Sequence, residues 1–311
     1  MRSARALVCA ELLFATATVA PAARAAAAPT PAAAPASHPA APAVPQFEHV
    51  IVVIMENKSA DRVSDPVACP FTAEFAKSYA WFQESYAITH PSQPNYLALW
   101  AASTLGVTDN SCPARGSPFD AENFGHALEA AKRTWRAYSE ALPGPGATAC
   151  RAQGDLYTRK HAPWTQFGNL DHRNERPYTD LAGDIAGHAL PDLAFVVPDN
   201  CHNSHSCSAS TGDKWLASEL TTMMGAAGRR GLLVLTFDED DHSSDNHILT
   251  VFAGPLVRPG TTSARRITHY TLVRTLCDGL GIPPFGEAVN EKPITDVWYR
   301  VAPPRTEPSK P

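Results

Sequence analysis

The sequence predicts an α/β fold with a mostly parallel central sheet and helices on both faces. Two observations lead to this fold class: the chain has four short, continuous apolar runs, and helical patterns lie between them. Strands that are buried on both faces have continuous apolar runs, and intervening helices provide the crossovers of a parallel sheet. The four predicted strands cover residues 49–55, 193–197, 232–237 and 248–253.

The predicted helices have apolar residues at helical spacing. They cover residues 71–78, 96–102, 121–138, 213–227 and 270–280. Loops rich in Pro, Gly and Asn are predicted at residues 105–120, 141–155 and 255–265. We find no internal repeat and no second domain, so we expect one domain over residues 46–303 and a disordered tail over residues 304–311.

The N-terminus has the pattern of an export signal. Arg2 and Arg5 precede an apolar stretch over residues 6–20, and small residues follow. We therefore predict a signal peptide over residues 1–28 and an extended Pro/Ala-rich linker over residues 29–45. The mature protein is expected to be secreted or periplasmic and to have no transmembrane segment, since a membrane span needs about 20 apolar residues.

Composition and charge argue against two broad classes of protein. With 44% hydrophobic and 18% charged residues, the chain is too apolar to be disordered. The net charge is −5, and it becomes about −7 without residues 1–45, which contain three arginines and one glutamate. A general nucleic-acid binder needs a basic face, so we predict no nucleic-acid partner. The sequence does not indicate an oligomeric state.

Six of the seven cysteines remain after Cys9 leaves with the predicted signal. Export favours disulfides. We expect a bridge between Cys112 and Cys150, because both lie in Pro/Gly-rich loops, and a second that closes a small loop between Cys201 and Cys207.

The alternative for the second pair is a zinc site made of Cys201, His202, His205 and Cys207. We disfavour this alternative because the spacing fits no zinc finger. Cys277 lies in a helical pattern and is expected to be a buried thiol.

Polar, metal-capable side chains follow three of the predicted strands. Glu56 and Asn57 follow the first, Asp238 and Glu239 follow the third, and a Pro-Asp-Asn turn with two nearby histidines follows the second. Such residues also form ordinary turns and solvated loops, but ligands bind at this sheet edge in open α/β folds. Oxygen ligands suit Mg²⁺, Ca²⁺ or Mn²⁺, and the twelve histidines leave a mixed site for zinc or iron open.

A hydroxyl nucleophile is available in the segment THPSQPNY, residues 89–96. Prolines bracket Ser92 and are expected to force a non-helical turn before a helix resumes near Tyr96. A hydroxyl near a helix N-terminus faces backbone N–H groups and a dipole that favours an anion. Spacing alone equally allows Ser92 to be only a helix N-cap.

Six segments, taken together, carry a family likeness. They are HVIVVIMEN (49–57), THPSQPNYLAL (89–99), YTRKHAPWTQF (157–167), GDKWL (212–216), LTFDEDD (235–241) and ITHYTLVRTL (267–276). In this order and spacing, the chain resembles the bacterial phosphoesterase family of secreted acid phosphatases and phospholipases C over residues 48–298. The resemblance implies a fold like that of the alkaline-phosphatase superfamily and hydrolysis of phosphoesters.

The resemblance also implies one divalent metal ion, whose identity it does not give. Its implied ligands are Glu56, Asn57, Ser92, Asp238 and Glu239. Ser92 matches the nucleophile of the superfamily, two residues before a Pro-Asn pair.

The remaining roles implied by the resemblance concern the substrate. Asn95 and Lys160 match substrate-binding positions. His161 and His205 match residues that contact phosphate or serve as the acid, with His202 as the alternative to His205.

The leading interpretation is a secreted, metal-dependent acid phosphatase that hydrolyses phosphomonoesters through Ser92. The substrate would be a small phosphoester or a phospholipid headgroup. The alternatives are a phospholipase C or other phosphodiesterase with the same site, and an inactive binding module that keeps the metal. A sulfatase is disfavoured because Tyr96 stands where the formylglycine motif requires Arg.

Overall fold

The computed structural model describes residues 44–299. The strands are β1 (His49–Met55), β2 (Ala80–Phe82), β3 (Ser85–Tyr86), β4 (Trp135–Ser139), β5 (Arg151–Ala152), β6 (Tyr157–Thr158), β7 (Glu175–Pro177), β8 (Leu193–Val197), β9 (Gly231–Phe237), β10 (Thr250–Ala253), β11 (Thr262–Ser263) and β12 (Ile267–Thr268). The α-helices are α1 (Ala60–Val63), α2 (Pro70–Ser78), α3 (Ser92–Ala101), α4 (Phe124–Ala130), α5 (Thr179–Ala186), α6 (Ala209–Ala227) and α7 (His269–Leu280). Short 3₁₀ helices cover Arg159–His161, Pro163–Gln166, His172–Asn174 and Gly286–Asn290.

Some of the sequence predictions lie outside the described residues. They are the signal peptide, all but the last two residues of the linker, and the C-terminal tail. Within residues 44–299, no helix has the length and apolar character needed to cross a membrane.

An eight-stranded sheet forms the centre of the fold, in the order β11-β2-β10-β9-β1-β8-β4-β7. The five neighbours from β9 to β7 are parallel, whereas β10 runs antiparallel to both β9 and β2. The α/β prediction with a mostly parallel sheet is therefore confirmed. The carboxyl ends of β9, β1, β8 and β4 meet at the same edge of the sheet.

The two faces of β1 explain why its sequence is apolar throughout. Val50, Val52 and Ile54 belong to one buried cluster, which includes side chains of α3, α4 and α7. The alternate residues of β1 belong to a second cluster, which includes side chains of α2, α5 and α6. Because successive strand side chains point to opposite faces, a strand covered on both sides can have no polar face.

One predicted helix is wrong over more than half of its length. The segment 121–138 contains only the short helix α4, and β4 follows as an interior strand of the sheet. Lys132 has a left-handed φ of 58° just after α4, which turns the chain out of the helix. Trp135 and Tyr138 are aromatic residues typical of strands, and both are buried.

The helix that carries the predicted nucleophile begins earlier than expected. Helix α3 starts at Ser92, with Pro91 as its N-cap, and not near Tyr96. Pro94 lies in the first turn, where the backbone N–H that proline lacks would have no partner within the helix. Ser92 is therefore the first helical residue and not an N-cap.

Both predicted disulfides are present. Cys112 is bonded to Cys150 and Cys201 to Cys207. The zinc alternative is therefore wrong, since a disulfide sulfur is not a thiolate ligand. Cys277 is a buried free thiol, as predicted, and Cys69 is another.

Candidate active site

Three carboxylates meet where β1 and β9 end. Met55 pairs with Phe237 in the parallel register, so the chain places Glu56 and Asp238 side by side. One oxygen from each of Glu56, Asp238 and Glu239 lies within 4.8 Å of the others. The first two residues are 0% exposed and Glu239 is 1% exposed. Buried carboxylates this close together need a compensating positive charge.

Asn57 joins this acidic cluster through its backbone and its side chain. Its backbone N–H donates to Asp238 Oδ1 at 3.1 Å, and its Nδ2 donates to Glu239 Oε1 at 3.2 Å. The residue has a φ of 40°, in the left-handed region, which asparagine tolerates better than most residues do.

The acidic cluster has strongly perturbed pKa values. Burial, followed by the charges of Glu56 and Glu239, raises the pKa of Asp238 well above its ordinary value. Burial is also the main cause that raises the pKa of Glu239. For Glu56, burial favours a higher pKa, but the nearby His161, Lys160 and His205 outweigh it and lower the pKa to about 2.

The donor atoms of this cluster fit a divalent cation. Among the described residues, Glu56 Oε1, Asn57 Oδ1 and Asp238 Oδ2 are buried and have no hydrogen-bond partner. Buried oxygens without partners are costly, and a hard cation satisfies such oxygens directly. The structure therefore brings together four of the five predicted metal ligands as neighbours, and the fifth, Ser92, contacts two of them.

Ser92 lies between this acidic cluster and an ammonium group. Its Oγ donates to Glu239 Oε1 at 2.8 Å and lies 3.3 Å from Glu56 Oε2. On the other side, Lys160 Nζ donates to Ser92 Oγ at 3.1 Å. The serine oxygen is thus near both positive charge and strong hydrogen-bond acceptors, which is an arrangement suited to forming an alkoxide.

Lys160 and His161 enter the site on the 3₁₀ turn Arg159–His161, but they occupy different depths. Lys160 is partly exposed, whereas His161 is 3% exposed and its ring stacks on Tyr96 at a centroid distance of 4.9 Å. His161 Nε2 lies 2.7 Å from Glu56 Oε1. Burial lowers the pKa of His161 to about 4, although Glu56 opposes the shift.

Of the two alternatives His205 and His202, the structure brings His205 to Lys160, which itself contacts Ser92. His205 is exposed, and its Nε2 lies 3.4 Å from Lys160 Nζ. Burial of part of the ring, followed by the charge of Lys160, lowers its pKa. His202 instead contacts Glu140 and Asp199 through Nδ1, at 2.8 and 3.5 Å.

Asn95 does not have the position expected of a substrate-binding residue. Its side-chain oxygen accepts from the backbone N–H groups of Ile88 and Thr89 at 3.1 Å each. Its Nδ2 donates to the carbonyl oxygens of Thr89 and Pro91. With its amide fully engaged, Asn95 braces the loop before Ser92, and the predicted contact with phosphoryl oxygens is not available to it.

Sequence reasoning missed one histidine that contacts the acidic cluster. His90 Nδ1 lies 2.5 Å from Glu239 Oε2, and its Nε2 lies 3.3 Å from Asp240 Oδ1. The residue stands two positions before Ser92 in the segment that drew attention to the serine. Its position close to Ser92 in that segment is the feature of the sequence that could have identified it as a site residue.

Comparison with known proteins shows the family of this chain. Residues 64–283 match the model of the phosphoesterase family. The chain is 40% identical to phosphatidylinositol-3-phosphatase of Mycobacterium tuberculosis over 83% of this chain and 85% of that protein. The chain belongs to the phosphoesterase family. It is also 28% identical to an acid phosphatase of Aspergillus fumigatus, over 65% of this chain and 48% of the fungal protein.

Solved structures show the same fold at much lower sequence identity. A protein of the alkaline phosphatase superfamily from Vibrio parahaemolyticus matches with a TM-score of 0.57 and 11% identity, over 78% of this chain and 69% of that chain. The phosphonate monoester hydrolase of Silicibacter pomeroyi matches with a TM-score of 0.52 and 13% identity, over 84% and 78%. The predicted fold and the predicted family are both confirmed, and the named relatives are phosphatases, as expected for a phosphoric ester hydrolase.

Proposed function

We propose that this phosphoesterase is an exported, metal-dependent phosphomonoesterase of the acid phosphatase type, with Ser92 as its nucleophile. The observation that carries the proposal is the position of Ser92 Oγ, which lies 3.1 Å from Lys160 Nζ and 2.8 Å from Glu239 Oε1. A cation held by Glu56, Asn57, Ser92, Asp238 and Glu239 would stabilise an ionised hydroxyl and polarise a phosphoryl oxygen.

The proposed reaction has two displacements. The hydroxyl of Ser92 gives up its proton to solvent, and its oxygen forms a bond to phosphorus while the bond from phosphorus to the leaving alcohol breaks, which gives a phosphoserine. His205 is exposed beside Lys160 and is placed to pass a proton to the leaving oxygen. Water then attacks the phosphoserine, releases inorganic phosphate and returns a proton to Ser92. Lys160 faces the charge that develops on the transferred group.

The substrate is proposed from the relatives. The name of the mycobacterial relative specifies phosphatidylinositol 3-phosphate, so this lipid and small soluble phosphomonoesters are the substrates to test first. Export is proposed because both disulfides fit an oxidising compartment, and the signal over residues 1–28 remains a prediction.

The decisive experiment compares p-nitrophenyl phosphate with bis-p-nitrophenyl phosphate after the purified protein has been supplied with divalent cations. Faster turnover of the monoester, lost in Ser92→Ala, is the expected result. Faster turnover of the diester would support the phosphodiesterase alternative. Absence of turnover with either ester and with phosphatidylinositol 3-phosphate, for every cation supplied, would contradict the proposal.

A further inference from the structure

Glu140 directly follows β4, at the same sheet edge as the acidic cluster, and it was not among the predicted site residues. Its Oε2 accepts a hydrogen bond from the backbone N–H of Asp199 at 2.9 Å and lies 2.8 Å from His202 Nδ1. Its Oε1 accepts from Trp215 Nε1, on α6, at 3.1 Å. One carboxylate therefore joins the loop after β8 to the helix that follows it.

This loop, residues 198–208, carries His205 and is called the His205 loop below. It packs directly on α6 because Gly212, in the first part of the helix, has no side chain. A Cβ there would overlap Ser204 Oγ and would lie 3.0 Å from the carbonyl oxygen of His202. Trp215 follows Gly212 by three positions, so both residues lie on the same side of α6. The helix thus offers the loop a close contact and a hydrogen bond.

The other end of the His205 loop is attached to the candidate active site. The carbonyl oxygen of the buried Asn203 accepts from the backbone N–H of Glu56 at 2.9 Å. The side-chain oxygen of Asn203 accepts from the backbone N–H of His205 at 2.8 Å. The ring of His205 is exposed and lies beside Lys160. Because the ring is exposed, its position depends on the backbone that carries it.

We propose that Glu140 is a positioning residue, which sets the place of His205 beside Lys160 by fixing the His205 loop against α6. This inference rests on the proposed function, in which His205 passes a proton to the leaving oxygen. A proton donor has to lie within hydrogen-bond reach of the atom that it protonates. A misplacement of about 1 Å can lower a rate about 10²-fold. Glu140 acts through the loop and not on the substrate.

The same side chains also have the spacing of a cation site. One atom from each of Glu140, Asp199 and His202 lies within 4.8 Å of the others. However, Asp199 Oδ1 accepts from the backbone N–H groups of Cys201 and His202, at 2.8 and 2.9 Å. Both oxygens of Glu140 have donors as well. Hydrogen bonds therefore account for this group, and we assign it to the position of the loop.

The first test compares two phosphomonoesters that differ in the basicity of the leaving group. A proton donor matters more for phenyl phosphate than for p-nitrophenyl phosphate, because phenolate is the more basic leaving group. We expect Glu140→Ala to lower kcat/KM for phenyl phosphate at least about 10-fold more than for p-nitrophenyl phosphate. His205→Ala should show the same selective loss. An equal loss on both esters in Glu140→Ala would overturn the inference.

A matched control is available at Glu129, an exposed glutamate that also accepts from an indole, Trp135 Nε1, at 2.9 Å. Its carboxylate contacts no part of the His205 loop, so Glu129→Ala should hydrolyse both esters like the wild type. The double variant of Glu140→Ala and His205→Ala supplies the second test. If Glu140 acts through His205, the double variant loses no more activity than His205→Ala alone. Additive losses would contradict the inference.

Hydrogen exchange provides a measurement that needs no substrate. The peptide that covers residues 199–207 should exchange its amide protons severalfold faster in Glu140→Ala than in the wild type, whereas β8 and β9 should not change. Unchanged exchange of this peptide would overturn the role of Glu140, whatever the kinetics show. Faster exchange without a selective loss in His205→Ala would instead remove the proton transfer by His205 from the proposed function.

A second variant keeps the test open if Glu140→Ala does not fold. His202→Ala removes the loop side chain that contacts Glu140, and its ring is 42% exposed, so this variant should fold. It should show the same selective loss on phenyl phosphate and the same faster exchange, both to a smaller extent, since the backbone bond from Asp199 remains. Thermal unfolding checks the fold of every variant. Wild-type exchange and kinetics in His202→Ala would contradict the inference.

Discussion

The ammonium group of Lys160 donates a hydrogen bond to the hydroxyl of Ser92. Ser92 follows Glu56, the first carboxylate of the site, by 36 residues. Lys160 comes from a 3₁₀ turn and Ser92 from the first turn of α3, so two separate parts of the chain have to be placed correctly for this contact to form. The contact gives the serine oxygen a positive neighbour outside the acidic cluster.

Replacement of Ser92, the proposed nucleophile, should abolish most of the activity. We expect Ser92→Ala to lower kcat by at least about 10³ and to change the free energy of unfolding by no more than about 1 kcal/mol. Steady-state kinetics on p-nitrophenyl phosphate and urea unfolding measure both effects. Ser210→Ala, at a partly exposed serine in α6, is the control. Near-normal turnover in Ser92→Ala would show that another group attacks phosphorus.

Removal of the ammonium group should have a smaller effect than removal of the serine. Lys160→Gln is expected to lower kcat about 10²- to 10³-fold, because loss of one preorganised donor at developing negative charge typically has this size. The control is Lys214→Gln, at an exposed lysine in α6. A change confined to KM would mean that Lys160 contributes equally to binding of the substrate and of the transition state.

Metal content should depend on Asp238. We expect Asp238→Ala to retain well under half of the metal of the wild-type protein, as measured by elemental analysis, since one of its carboxylate oxygens is buried without a partner. EDTA should reduce wild-type activity, and a divalent cation should restore it. Asp61→Ala, at an exposed residue of α1, is the control. Full metal occupancy in Asp238→Ala would exclude this residue as a ligand.

The disulfide between Cys201 and Cys207 should matter more for activity than for stability. It closes the loop that carries His205, and it spans only six positions, so its entropic contribution is smaller than that of the Cys112–Cys150 bridge. The longer bridge should contribute about 3–4 kcal/mol in the simple loop model. We expect replacement of both Cys201 and Cys207 by Ser to lower kcat severalfold and to lower Tm less than loss of the longer bridge does.

The matched comparison is the replacement of Cys112 and Cys150 by Ser, which should lower Tm more. Equal effects of the two double variants on Tm and kcat would contradict a specific role for the smaller loop. Peptide mapping without reductant on the wild-type protein checks that both bridges form.

A buried carboxyl group outside the acidic cluster should make stability depend on pH. Burial raises the pKa of Glu175 to about 7, while hydrogen bonds from Tyr157 and Ser139 oppose the shift. The folded protein therefore holds a proton that the unfolded chain releases near its ordinary pKa of 4.5. The stabilisation from this group is fully present below pH 4.5 and is lost as the pH rises through about 7.

Replacement of Glu175 by Gln should remove this dependence. The wild type should lose up to about 3 kcal/mol of unfolding free energy from this group between pH 4 and pH 8, and Glu175→Gln should not. Urea unfolding across this pH range measures the difference. The control is Glu74→Gln, at an exposed glutamate. Parallel curves for Glu175→Gln and the wild type would mean that the buried carboxyl is not protonated near neutral pH.

The central sheet and the acidic cluster were predictable from the sequence because both follow from local patterns. Continuous apolar runs mark β1, β8 and β9, and the parallel arrangement then places Glu56 beside Asp238. Strand β4 was not predicted, since the residues before it have helical spacing and the turn at Lys132 has no proline or glycine to mark it.

How deeply the two site histidines are buried could not be predicted from the sequence. His161 and His205 both follow irregular segments, and only tertiary packing leaves the first buried against Tyr96 and the second exposed. Asn95 shows a different limit of the sequence. Its place in the motif led to the prediction that it binds the substrate, whereas the hydrogen bonds of its side chain all go to the loop 88–91.

The left-handed backbone of Asn57 limits how this site can change during evolution. Most replacements would strain the turn as well as remove the amide, so a single mutation would usually damage both folding and the proposed metal site. Glycine would keep the turn and lose the donor, and aspartate would keep the turn but add a fourth carboxylate to the buried cluster. Few single substitutions of Asn57 would therefore be neutral. Evolutionary changes in metal preference should begin at other residues of the proposed ligand set.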